Sequence, residues 1–246
     1  MELHSKRILI TGAARGLGRE LALLLEKEGC FLILVDRDEI PLANTQAHAC
    51  DLSDPSQRKK LIEEMRSEKI DILINCAGIG SHSQLDQLTV DEIERVMQVN
   101  TLTPLELIAG LSPLGLVVNI GSVAGEMNLP SMSLYAASKT SVHAFTRSIQ
   151  LEGTRTLLVI LGPLSGTDFV QSISHPRTGQ PNWYRRLDLP VETAARFIVQ
   201  AMKRGQSKLV APWWYRIIFL FAWIFLPLFG MFANRIPDFK TQGKRL

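Results

Sequence analysis

The chain has 246 residues, enough for one sizeable α/β domain and too few for two. Its 27 basic and 24 acidic side chains nearly cancel, which excludes a large polybasic surface and, with it, a nucleic-acid partner. The three cysteines, Cys30, Cys50 and Cys76, lack metal-ligand spacing and read as small core residues in a reducing, intracellular compartment.

The N-terminus passes directly into the apolar run R-I-L-I-T without the apolar stretch of a secretory signal. This run reads as a first buried strand. It ends in T-G-A-A-R-G-L-G, and a helical pattern from Gly18 to Glu28 follows. In that turn Thr11, Gly12, Arg15, Gly16, Leu17 and Gly18 lie where backbone N–H groups can approach a pyrophosphate at the positive end of a helix. A second strand, F-L-I-L-V-D, closes on Asp36, and the strand, glycine turn, helix and acid together form the dinucleotide fingerprint. Asp36 suits the ribose hydroxyls and repels a 2′-phosphate, favouring NAD. Arg15 and Arg37 are placed to meet such a phosphate, so NADP stays open. Asp51 and Leu52 have two readings, a border for the adenine or a capping acid ahead of the helix from Pro55 to Glu68.

The strand I-D-I-L-I-N then leads into Asn75, Cys76, Ala77 and Gly78. A helical pattern from Val90 to Leu111 contains Asn100 and is interrupted at Pro104. After it, G-L-V-V-N-I-G-S predicts a strand ending on Ser122. Tyr135 and Lys139, in Y-A-A-S-K, open a helix to Leu151 and emerge on one face in adjacent turns. An ammonium beside a phenol favours the phenolate, which lets the tyrosine exchange a proton with a substrate oxygen. T-L-L-V-I-L-G is a further strand, running into Pro163. The stretch from Ser165 to Asp188 has no sustained period and reads as a lid or a disordered loop. A helix through Met202 and a short strand K-L-V-A-P complete the domain. Strands alternating with helices predict a Rossmann-type doubly wound parallel sheet with helices on both faces.

The glycine turn, Asn75 to Gly78, Asn100, Ser122, Tyr135 and Lys139 appear in the order of the short-chain dehydrogenase/reductase family, which the chain resembles from about Lys6 to Pro212. The resemblance implies a catalytic set of Asn100, Ser122, Tyr135 and Lys139. It implies that Lys139 also binds the nicotinamide ribose, and that Asn100 bends its helix and holds a water linking Lys139 to solvent. Asn75, Ala77 and Gly78 would border the cofactor. The chain departs from the family in having Cys76 where asparagine is usual, and in the spacing of Gly162, Pro163 and Thr167. The segment from Asn100 to Ser122 is shorter than the family norm, and the helix there commonly builds the dimer face, so oligomerisation is open.

The sequence divides into a catalytic domain over 1–212, with a substrate loop near 165–190, and an apolar segment over 213–246. From Ile217 to Ala233 no residue is charged, a helix of ~26 Å. Trp213, Trp214, Arg216 and Arg235 flank it in the manner of a membrane interface, with Pro227 and Gly230 inside. A segment lying in one leaflet through 213–235 is the expectation, with the catalytic domain on the cytoplasmic side; the other reading is a helix buried in a homo-oligomer or over the cleft. The function expected is alcohol–carbonyl interconversion on a small apolar, lipid-class substrate. A catalytically silent nucleotide-binding scaffold or sensor is the alternative.

Overall fold

A computed structural model describes residues 1–42, 45–111, 114–127, 131–167, 169 and 188–221. Apolar β-branched runs form the centre of the sheet. β1 (Arg7–Thr11), β2 (Phe31–Asp36), β4 (Ile72–Asn75), β5 (Leu116–Ser122) and β6 (Thr156–Leu161) are almost wholly buried, as strands covered on both faces must be. They join β3 (Gln46–Ala49) and β9 (Lys208–Ala211) in one parallel sheet of order β3-β2-β1-β4-β5-β6-β9. A separate pair, β7 (Leu164–Ser165) and β8 (Leu189–Pro190), lies outside it. The sequence reading lacked β3, whose Q-A-H-A carries no apolar run because it forms a partly exposed edge.

Helices α1 (Gly16–Lys27) and α6 (Val191–Lys203) cover one face, packing Leu21, Leu25, Ala194 and Ile198 against Ile8, Ile10, Ile74 and Val118. On the other face α2 (Pro55–Met65), α4 (Thr103–Leu111) and α5 (Ser133–Leu151) bury Leu61, Leu107 and Ile149 against Leu9, Ile33 and Val117. The N-cap of α2 is Asp54, whose carboxylate accepts from the amides of Ser56 and Gln57, with Pro55 in the first turn. Asp51 instead folds back on Ser53, accepting from its amide at 2.9 Å and its hydroxyl at 2.7 Å.

The helical pattern from Val90 to Leu111, expected to break at Pro104 and bend at Asn100, is three pieces. α3 (Val90–Met97) gives way to a π-turn over Gln98–Leu102, and α4 resumes at Thr103. Pro104 cannot supply the donor that would close a regular turn on Asn100. The Asn100 side chain binds Ile79 on both sides, accepting from its amide and donating to its carbonyl, each at 2.9 Å. The bend therefore delivers Asn100 to the loop after β4.

The carboxyl ends of β1, β2, β4 and β5 fall along one edge of the sheet, carrying Thr11, Asp36, Asn75 and Ser122. Strand order reverses between β1 and β4, which opens the crevice where such sheets bind ligands. Beyond β9, a helical turn over 215–221 lays Tyr215 and Phe219 on Leu158, Ile160 and Val210. The rest of the apolar tail, and most of the loop at 165–190, lies outside the described residues.

Candidate active site

The turn after β1 is shaped for close approach. Gly12 has φ +72°, and a Cβ there would lie 2.8 Å from the Ala77 Cα. A Cβ on Gly18 would meet the Gly12 carbonyl oxygen at 2.0 Å. Only glycine lets the turn, the start of α1 and the loop after β4 come together. Thr11 joins the two strand ends, its hydroxyl accepting from the amides of Cys76 and Ala77, each at 3.1 Å. Leu17 is buried beneath the turn and holds α1 on the sheet.

Asp36 lies beside this turn, its carboxylate accepting from the Ala14 amide at 2.9 Å and the Asp38 amide at 3.1 Å. Asp38 was not singled out from the sequence. Its carboxylate is 3.2 Å from Arg15 and 3.7 Å from Arg37, so both arginines are ion-paired to an acid. Thr167 packs 3.6 Å from the position of a Gly16 Cβ, and its buried hydroxyl has no hydrogen-bond partner among the described residues. Glycine cradle, helix N-terminus, acid and orphaned hydroxyl fit a dinucleotide: Thr11 to Gly18 could hold its pyrophosphate and Asp36 its adenosine ribose. The Leu52 carbonyl is engaged by Arg58 and Thr103, leaving its buried side chain as an apolar wall. Pro163 accepts from the Leu189 amide through its carbonyl, which fixes the chain after β6.

At the end of β5 the other residues converge. Tyr135 and Lys139 are buried in the first turns of α5, and the ammonium stands 5.9 Å from the phenol ring centre. Lys139 donates to the Ile120 carbonyl at 3.0 Å. A Cβ on Gly78 would lie 3.4 Å from the Lys139 Nζ and 3.5 Å from the Asn100 Oδ1, so these three meet at one point. Asn100 also donates to the Ser138 hydroxyl at 3.0 Å. Below them Asn75 donates to Asn119, and Asn119 to Thr146, a buried chain tying β4 through β5 to α5.

Burial governs the charges here. It pushes the Tyr135 phenol up to about 12, against the opposing pull of the Ser122 hydroxyl, and it lowers the Lys139 ammonium to about 8. The sequence expectation of a phenol pushed down by its lysine is reversed, because desolvation was invisible there. A neutral buried phenol is suited to donating a proton. The Phe169 ring, 5.8 Å from Tyr135 between centres, adds an apolar wall above it. The described residues contain no metal-ligating cluster of His, Cys, Asp or Glu.

The sequence matches the family model for short chain dehydrogenase over residues 6–177. The chain belongs to the short-chain dehydrogenase family. An uncharacterised oxidoreductase of Staphylococcus saprophyticus is 27% identical over 224 residues, covering 83% of this chain and 94% of that protein. Two solved structures share the architecture. A short-chain dehydrogenase from Sphingobium yanoikuyae in complex with NADPH matches with a TM-score of 0.76 at 24% identity, over 98% of this chain and 100% of that one. One from Burkholderia phymatum in complex with NAD gives 0.77 at 22% identity, over all of both chains. This short-chain dehydrogenase is an oxidoreductase by family, and its doubly wound parallel sheet is of the class expected from its sequence, with β3 as an added edge strand.

Proposed function

We propose that this short-chain dehydrogenase interconverts an alcohol and a carbonyl on an apolar substrate, with NAD preferred over NADP. The observation that carries the reading is the buried Tyr135 and Lys139 pair beside Ser122, under the Phe169 ring. The dinucleotide supplies the hydride donor or acceptor when bound. In the reducing direction Tyr135 donates its phenolic proton to the substrate oxygen, and Ser122 hydrogen-bonds the same oxygen to keep it in line. Lys139 holds a positive charge next to the tyrosine as that proton leaves, and Asn100, fixed by Ile79, keeps the approach to Lys139 ordered. Asp36 favours free ribose hydroxyls, and Asp38 occupies the two arginines that a 2′-phosphate would need. Every one of these positions being filled favours turnover over a silent scaffold.

An apolar ridge beside the cleft supports a lipid-class substrate drawn from a membrane surface. Trp213 is 65% exposed and Leu220 74%, with Ile217, Ile218 and Phe221 also open to solvent. Tyr215 in the same turn fills the space that a Cβ on Gly162 would take, so the ridge abuts the segment after β6. No helix among the described residues is long and apolar enough to cross a membrane, and the ridge fits attachment to one leaflet.

The test is a screen of apolar secondary alcohols, long-chain aldehydes and ketones followed at the nicotinamide absorbance with both cofactors. Tyr135→Phe should cut turnover by at least about 10²-fold while NAD binding stays near wild type. Near-normal turnover in a folded Tyr135→Phe protein would remove Tyr135 from the mechanism.

A further inference from the structure

Helix α5 brings a third polar side chain to the end of β5. His143 follows Lys139 by one turn, and its ring is 1% exposed. Its Nε2 accepts from the Ser122 amide at 3.3 Å, and its Nδ1 lies 3.1 Å from the Glu126 carboxylate. Arg147, one turn further, also pairs with Glu126. These partners fix the proton. An amide can only donate, so Nε2 accepts and the neutral ring carries its hydrogen on Nδ1, toward the carboxylate.

Room for the ring comes from two glycines near Ser122 in sequence. A Cβ on Gly121 would stand 2.1 Å from the Nε2, and one on Gly125 would stand 2.7 Å from the Cε1. The niche is closed to any other residue at either place while the histidine is present. Ser122 is thereby pinned twice, its amide by His143 and its hydroxyl by the Ala124 amide at 3.2 Å.

We propose that His143, oriented by Glu126, is a positioning residue that keeps Ser122 aligned with Tyr135 only while its imidazole is neutral. The proposal rests on the oxidoreductase reading, in which Ser122 holds the substrate oxygen. A proton on Nε2 would turn N–H against N–H, and the serine would lose its anchor. Glu126 favours that protonation. Burial opposes it, as do the charges of Arg147 and Lys139 on the same helix, and the ring is held below the ordinary histidine range. From β9, Lys208 acts on Glu126. Ser122 is therefore released only in acid.

The experiment uses the full chain. Ring ¹⁵N shifts should show the Nδ1-protonated tautomer at pH 7.5, and the Ser122 amide resonance should move with the midpoint of the His143 ring as pH falls. In turnover of apolar secondary alcohols with NAD, His143→Leu should lower kcat about 10- to 100-fold with NAD affinity unchanged. His143→Gln offers an amide oxygen to the same N–H, so it should recover most of kcat and lose the histidine limb of the acid profile. A Ser122 amide indifferent to the ring's titration, an Nε2-protonated ring at neutral pH, or equal kcat in the two variants overturns the proposal. If wild type turns over none of the alcohols or ketones, the apolar-substrate reading fails while the ring and amide shifts still decide the pairing.

Discussion

Tyr135 and Lys139 are buried together, and burial drives their protonation in opposite senses. A lysine whose ammonium is lowered from 10.5 to about 8 on folding binds its proton more weakly in the native chain. The unfolded state then holds more protons between about pH 8 and 10.5, and native stability from this group rises across that window and is lost as pH falls through it. Lys139→Met should therefore be stabilised over wild type at pH 7, with the gap closing toward pH 10.5, as urea unfolding at several pH values will read. A gap that widened with pH would contradict the burial argument. Asp36 yields a second prediction. Asp36→Ala should move preference toward NADP by about tenfold, equivalent to ~1.4 kcal/mol, because Arg15 and Arg37 then face the ribose without that carboxylate. Fluorescence titration with both cofactors measures it, and unchanged preference would mean that Asp38 alone neutralises the arginines. The placement of Tyr135 beside Lys139 was legible in the sequence because four-residue spacing fixes a shared helix face. Asp38 and His143 were not, since one depends on arginines folding back across a turn and the other on space left by Gly121 and Gly125.

Among the elements, the π-turn at Gln98–Leu102 is held by an unusual residue. Arg58 on α2 is 1% exposed and donates to Glu106 on α4, to Gln98 in the π-turn and to the Leu52 carbonyl. Removing a buried guanidinium takes the donor from Glu106 and Gln98, while the Leu52 carbonyl keeps Thr103. Glu106 is 40% exposed, so water screens part of the loss, and Arg58→Met should cost about 2 kcal/mol rather than the 3–5 of a fully buried pair. A midpoint in urea equal to wild type would show that the Glu106 and Gln98 acceptors find water instead. The central strands and helices were legible because continuous apolar runs and helical periods dictate them. β3 was missed because edge pairing needs no apolar signal; a bend at Asn100 was expected, but not its π form, which is braced by the contact of Asn100 with Ile79, distant in sequence. Pro104 marked the interruption without revealing its form.

For the whole molecule, the exposed ridge at 213–221 has to find cover. Trp213, Ile217, Leu220 and Phe221 present apolar surface whose burial is worth ~25 cal/mol per Å². Full-length protein should co-sediment with phospholipid vesicles, and a chain ending at Phe221 should bind them more weakly while keeping NAD affinity. Tyr215 and Phe219 pack on β6 and β9, so the cut is placed beyond them to spare the core. Vesicle-independent full-length protein that loses an oligomer on the same cut would assign the apolar segment beyond residue 221 to contact with a second copy of the chain.

The position of β9 also bears on how the protein is made. It pairs with β6 at the sheet margin, yet the ribosome delivers Leu161 long before Lys208. During synthesis at 5–20 residues per second, the open edge of β6 waits ~2–10 s for its partner. An unpaired apolar strand edge is a template for joining another nascent chain. The yield of active enzyme should therefore depend on translation speed across this interval and on chaperones that shield the β6 edge until β9 arrives.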